Sequence, residues 1–301
     1  MSDLSIAVLL ALGSSVSWAL ANVAVQRSTR LVGTFRSLLW AQVAGGTLAA
    51  LLALALGQRP PALATLLAGG TPVWLAAAGV ASLVAYLSMF HALEHGRLSI
   101  AVPIMSGWAV ISAAISVLVL REPVRALQLG GGSLVIAGVV LVSRAAQTVP
   151  TVAVPTLSTA RPSRRPRWLL ASAAAAVGFG LLIPAIGRLT PVFGQLGAVT
   201  AVFSADIVLG LPLAALLGVN LRPPSRSALV PVALAGLCET SGFICIALTV
   251  GRAPLAVVSP LASLASALTV LYAWMVLKDR PPPVALAGAA MVCAGVVALA
   301  L

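Results

Sequence analysis

Six carboxyl groups make up the whole acidic complement of this 301-residue chain: Asp3, Glu94, Glu122, Asp206, Glu239 and Asp279. Four of them stand at the ends of long apolar runs, where water reaches them. Asp206 and Glu239 stand near the middle of such runs. A charge at that depth in a bilayer costs at least about 2.5–3.5 kcal/mol, so either group must face the protein interior or a wet cavity. No Lys or Arg lies mid-run to pair with them. Two chemistries fit such a carboxyl: binding a cationic or amine-bearing solute, and carrying a proton. The competing reading is a neutral, hydrogen-bonded packing residue.

Other polar and aromatic residues fall at similar depth. Trp18, Asn22, Gln42, Tyr86, Trp108 and Thr240 lie inside apolar runs. Asn22 and Gln42 must seek hydrogen bonds between helices. Trp18 and Trp108 are too deep for the interfacial aromatic belt and suit cavity walls. Trp18, Asn22, Tyr86, Trp108 and Thr240, with Glu239 and Asp206, form the expected substrate-binding or proton-coupling set. His91 and Glu94 are spaced i, i+3 on one helix face near a span end, the arrangement of a pH-sensitive gate or of a plain boundary pair. Pro103 and Pro260 free backbone carbonyls early in their spans and suit gate hinges.

The elements that must position these residues follow from composition. The chain is 60% hydrophobic and 8% charged, against about 25% charged for an average soluble domain. Ten apolar runs are expected as helices at 4–25, 37–56, 73–93, 99–120, 127–142, 168–186, 193–217, 229–250, 255–277 and 284–301. Each suits a hydrocarbon core of roughly 30 Å. Lipid offers no partners to backbone N–H and C=O groups, and continuous apolar runs exclude a barrel, so the spans must be helices. Residues 144–167, rich in Pro, Thr and Arg, read as a linker between residues 1–143 and 168–301. The first span lacks a basic flank and a cleavage pattern and reads as a retained helix.

The two halves echo each other. Gly96-Arg97 pairs with Gly251-Arg252, and Ala137-Gly138-Val139-Val140 with Ala294-Gly295-Val296-Val297. Arg121-Glu122 pairs with Lys278-Asp279 at an offset of 157, against 155 at the glycine pair. Five crossings per copy force the second copy upside down. The expected fold is therefore an all-α membrane protein of ten transmembrane helices, built as two inverted five-helix repeats.

Several function classes drop out. The net charge of +12 sits in short loops and points to topology and anionic lipid rather than nucleic acid. Cys238, Cys245 and Cys293 all lie within spans and have no metal-ligand spacing. No metal-protease, phosphate-loop or nucleophile motif occurs, so no enzyme, metal or cofactor is expected. Loops on one face hold 13 basic residues and loops on the other hold 5, which places both termini outside by charge bias.

The sequence resembles the EamA-type transporters of the drug/metabolite transporter superfamily. The residues that carry the resemblance are Ser17-Trp18-Ala19, Arg36 with Leu38-Leu39-Trp40, Ala92-Leu93-Glu94 and Gly96-Arg97. Ser99-Ile100-Ala101-Val102-Pro103-Ile104, Arg121-Glu122-Pro123, Gln128-Leu129-Gly130 and Gly138-Val139 extend it. Lys278-Asp279-Arg280 departs from it, standing where a Gly-Glu pair is common. The resemblance implies a carrier with a central cavity, often an exporter of amino acids, metabolites or drugs, in the plasma (inner) membrane. It also implies cytoplasmic termini, against the charge bias, and leaves absolute orientation open. The expected function is secondary transport of small organic solutes by alternating access, with protons as a candidate coupling ion. The alternative is a channel or facilitator for a small cation. The expected partners are a small-molecule substrate and the lipid bilayer, with monomer and homodimer both open.

Overall fold

The computed structural model of the chain describes residues 2–58, 61–108, 110–111, 114–115, 126–148, 167–249, 252, 255–278 and 281–300. Every regular element among them is a helix. They are α1 (Asp3–Val32), α2 (Thr34–Ala55), α3 (Leu63–Leu67), α4 (Thr71–His95), α5 (Leu98–Met105), α6 (Ala126–Thr148), α7 (Arg167–Phe193), α8 (Gln195–Leu216), α9 (Arg226–Thr249), α10 (Leu255–Met275) and α11 (Pro283–Ala300). Six are long and apolar enough to cross a membrane: α1, α2, α4, α7, α8 and the Arg226–Ile246 part of α9. Shorter apolar stretches run over Leu129–Val142, Leu264–Met275 and Pro283–Ala298.

Nine of the expected spans fall on described helices. The fourth begins as α5, continues as helix at Trp108 and residues 110–111 and 114–115, and otherwise lies outside the described residues. The boundaries shift for identifiable reasons. Helix α1 continues past Val25 to Val32 because the polar residues there find partners. Gln26 Nε2 donates to the Gly96 carbonyl at 3.2 Å, and Thr29 Oγ1 folds back on the Val25 carbonyl at 2.8 Å. Helix α6 runs on through Ser143 to Thr148, and α7 through Pro191 to Phe193. The short helix α3 was not expected.

Glycine sets the corners. Gly33 (φ 82°, ψ 164°) turns α1 into α2, and Gly194 (φ 72°, ψ 171°) turns α7 into α8. Only glycine adopts this backbone without strain. Helices α2 and α8 are both 22 residues long. Each is followed by another left-handed glycine, Gly57 (φ 74°) and Gly218 (φ 65°). The two copies are therefore offset by 161 residues at these corners. Residues 56–70 separate α2 from α4, whereas the shorter 217–225 separates α8 from α9. That six-residue difference, which contains α3, brings the offset down to the 155 seen at the next glycine pair.

The packing follows the same duplication. Helix α1 lies against α9 and α10, and α4 against α7 and α8. Helix α2 packs on both α8 and α9, and α6 pairs with α11. Exchanging the halves, α1 for α7, α2 for α8, α4 for α9 and α6 for α11, turns the α1–α9 contact into α7–α4. It turns α2–α9 into α8–α4, and leaves α2–α8 and α6–α11 in place.

Small residues allow the close approaches. A Cβ on Gly138 would lie 2.6 Å from the Gly288 carbonyl oxygen, and one on Gly288 would lie 2.8 Å from that of Gly138. Gly295 stands the same way against Gly131. Gly138→Val is expected to force α6 and α11 apart and cost about 1–3 kcal/mol. Thermal unfolding of the purified protein in detergent measures it. Gly130→Ala, whose Cβ meets nothing within 4 Å, should leave the midpoint unchanged or slightly higher.

Candidate functional site

Helix α4 presents two donors to the second half of the chain. Ser82 and Tyr86 are four residues apart and so share a face. Ser82 Oγ donates to Asp206 Oδ2 of α8 at 2.8 Å. Tyr86 OH donates to Glu239 Oε1 of α9 at 3.1 Å. Both mid-span carboxyls are thus held by one helix, about one turn apart.

Asp206 is fully buried. Its Oδ2 also accepts from Gln42 Nε2 of α2 at 2.6 Å, while Oδ1 has no partner among the described residues. The carboxyl therefore ties three helices together. Glu239 is half-buried and has, among the described residues, a single side-chain donor, Tyr86. Its backbone carbonyl accepts from Trp18 Nε1 of α1 at 3.2 Å. The backbone can approach the indole this closely because Gly242, one turn on, leaves the indole room.

Around Glu239 the rings form a continuous edge-to-face ladder. Phe179 of α7 meets Tyr86 at a centroid distance of 5.1 Å, and Tyr86 meets Phe203 of α8 at 6.0 Å. Phe203 meets Phe243 of α9 at 6.2 Å, and Phe243 meets Trp18 at 5.4 Å. Interplanar angles of 76–88° put ring edges on ring faces, the arrangement the ring quadrupole favours. The Glu239 carboxyl joins this ladder through the Tyr86 hydroxyl. The ladder crosses five helices, so a displacement of any one of them disturbs it.

The remaining expected residues take varied places. Asn22 Nδ2 donates to Thr269 Oγ1 of α10 at 3.1 Å, outside the carboxyl pair. Thr240 is fully buried, and its Oγ1 lies against Gly45 of α2 with no hydrogen-bond partner among the described residues. Adjacent residues on a helix point about 100° apart, so Thr240 faces α2 while Glu239 faces α4. Trp108 is half-buried beyond α5, with its carbonyl close to Gly180 of α7. His91 and Glu94 do not bond each other. His91 stacks on His95 at 4.4 Å, and Glu94 Oε2 accepts from Thr34 Oγ1 at 2.5 Å. Pro103 is buried within α5. The Pro260 side chain lies outside the described residues.

Polar contacts fasten both ends of the bundle. At the α1–α2 corner, Arg30 Nε donates to the Glu94 carbonyl at 3.3 Å. Arg36 Nε and Nη2 donate to the carbonyls of Arg222 and Pro223 at 2.7 and 2.5 Å. At the other end, Gln58 Oε1 accepts from Gly197 N at 3.2 Å, and the Arg188 guanidinium lies 5.7 Å over the Trp74 ring. Two clefts, of about 340 and 310 Å³, flank α9 on its α2 and α1 sides. Neither is lined by Asp206 or Glu239.

Sequence reasoning missed Ser82, Phe179, Phe203 and Phe243. A serine in an apolar span is cheap and common, and a phenylalanine there looks the same whether it faces lipid or protein. The one usable signal was scarcity: phenylalanine occurs only six times, and three of those rings converge here.

The family description that matches the sequence is the EamA-like transporter family, over residues 5–144 and again over 166–301. No curated protein matches the chain. A solved crystal structure shares the fold at a TM-score of 0.63 and 18% identity, covering 98% of this chain and 96% of that one.

Proposed function

Since the chain belongs to the EamA-like transporter family, we propose that it is a secondary transporter that exports small, amine-bearing organic solutes across the plasma membrane by alternating access. The observation that carries this reading is Glu239. It is a mid-span carboxyl whose one side-chain donor among the described residues, Tyr86, belongs to a ladder of rings from five helices. An ammonium group would replace the Tyr86 hydroxyl as its partner and pack on the ring faces. The same carboxyl can hold a proton when the solute has left, which gives a route to proton coupling.

The two halves are proposed to be inverted five-helix repeats that make ten crossings, with both termini on one side. The duplicated glycine corners and the exchange-invariant helix pairing support this. Five crossings in each copy would turn the second upside down relative to the first. Alternating access would then interconvert two related packings about the α2–α8 and α6–α11 contacts, which the exchange leaves in place. The ring ladder joins helices of both halves, which supports a carrier over an open pore.

Reconstitution in proteoliposomes tests the reading. Saturable counterflow of a radiolabelled primary or tertiary amine is expected, driven further by an opposing pH gradient. Electrical conductance that does not saturate, with no counterflow from a panel of amines and amino acids, would replace the carrier with a cation channel.

A further inference from the structure

The 310 Å³ cleft between α1 and α9 changes character along its length. Leu20, Val23 and Ala24 of α1 face Val230, Pro231 and Leu234 of α9, and Arg27 and Ser227 stand at one end. From Leu20 to Arg27 the wall rises about 10 Å along α1. Leu20, Val230 and Leu234 are 49%, 61% and 47% exposed, so in the membrane this wall meets acyl chains. Arg27 lies near the end of α1 and Ser227 near the start of α9, at the same end of the bundle. The gradient from guanidinium and hydroxyl to bare hydrocarbon matches a phospholipid lying along the cleft.

Arg27 also differs from its neighbours. Arg30 is occupied by the carbonyls of Glu94 and Gly96, and Arg36 by those of Arg222 and Pro223. Arg27 is exposed and makes no hydrogen bond or ion pair among the described residues. Ser227, which lines the cleft with Arg27, has its Oγ 3.0 Å from Ser225 Oγ. A guanidinium with flanking hydroxyls binds phosphate oxygens by charge-assisted hydrogen bonds. The net charge of +12 further favours an anionic lipid.

We propose that the α1–α9 cleft is a binding site for an anionic phospholipid, whose phosphate sits on Arg27 and Ser227 and whose acyl chain runs along Leu20, Val230 and Leu234. The site is separate from the carboxyls, and the proposal does not depend on what the protein carries. Cys238, the last lining residue, immediately precedes Glu239. A lipid seated there would therefore brace the helix that bears Glu239.

Native mass spectrometry of the intact purified protein with added phosphatidylglycerol or phosphatidylcholine tests the proposal. Phosphatidylglycerol should be retained in preference to phosphatidylcholine. Arg27→Gln should weaken its retention roughly five-fold, the worth of one arginine at an anionic surface. Val230→Trp, at an exposed position, should fill the cleft and displace the lipid while Arg27 remains. Arg188→Gln, at the opposite end, should change nothing. Equal retention of the two lipids, or native retention in both Arg27→Gln and Val230→Trp, would overturn the proposal.

Discussion

Glu239→Gln is expected to lower amine counterflow about 100-fold at neutral pH while leaving the protein folded. Glutamine keeps the shape of the side chain and an oxygen that can accept from Tyr86 OH, so the α4–α9 contact survives. What it loses is the negative charge. Removing one member of a desolvated charge pair costs about 2–5 kcal/mol in binding, which is where the expected loss comes from. The charge is also the group that would alternate between proton and ammonium. Residual transport by Glu239→Gln should therefore be independent of pH, whereas the native protein is expected to respond to a pH gradient. Tyr86→Phe makes a graded comparison. It removes the hydroxyl that competes with the solute but keeps the ring that meets Phe179 and Phe203. Solute affinity should then change by a few-fold in either direction, far less than for Glu239→Gln. Initial rates of counterflow at three pH values measure all of this. Native rates from Glu239→Gln across the pH range would remove Glu239 from the site.

The order of these effects follows from how each residue could be read in the sequence. Asp206 and Glu239 were legible because burying a carboxyl is expensive, so a position in mid-span already implies a partner or a cavity. Their partners were only half legible. Gln42 and Tyr86 stood out as polar groups in apolar runs, but Ser82 did not, because a lone hydroxyl can satisfy itself on its own helix. Ser106, Ser133 and Ser172 each donate to the carbonyl four residues back. Thr240 was singled out as a polar group inside an apolar run, and its Oγ1 lies against Gly45 of α2.

The fold was legible in the same uneven way. Hydropathy located nine of the described helices, yet the repeat was aligned only through identical or like-charged residues near the ends of its copies. The corners at Gly33 and Gly194 fix the offset of the first two helices in each copy, and they do so through backbone conformation. Glycine is too frequent here, at 26 residues, for two of them to announce themselves. The ladder of rings was invisible for a related reason. Apolar residues on the lipid and protein sides of a membrane helix obey the same hydropathy, so only packing tells Phe203, at 2% exposed, from Leu216, at 85%.

Asp206 is expected to respond in the opposite way to Glu239, with a large effect on stability and a small one on chemistry. Its Oδ2 accepts from both Gln42 and Ser82, joining α8 to α2 and α4. Asp206→Ala would leave two buried donors without an acceptor and open a space in a fully buried contact. Together these should cost about 2–3 kcal/mol. Asp206→Asn keeps an oxygen in the same place and should hold both bonds, with counterflow within about three-fold of native. Ser82→Ala removes one bond and should fall between them, at about 0.6–1.7 kcal/mol. Combining Ser82→Ala with Asp206→Ala should add little to Asp206→Ala alone, because the two groups share one interaction. Thermal midpoints in detergent report the stabilities, and proteoliposome counterflow reports the transport. If Asp206→Asn folds with a native midpoint yet loses transport and its response to a pH gradient, Asp206 is the proton carrier and the fastening role assigned to it is wrong. The two carboxyls hang from adjacent turns of one helix, so the same movement of α4 that frees Glu239 from Tyr86 must strain Ser82 against Asp206. The firmer three-helix tie at Asp206 would then act as the pivot, and the single bond at Glu239 as the contact that opens.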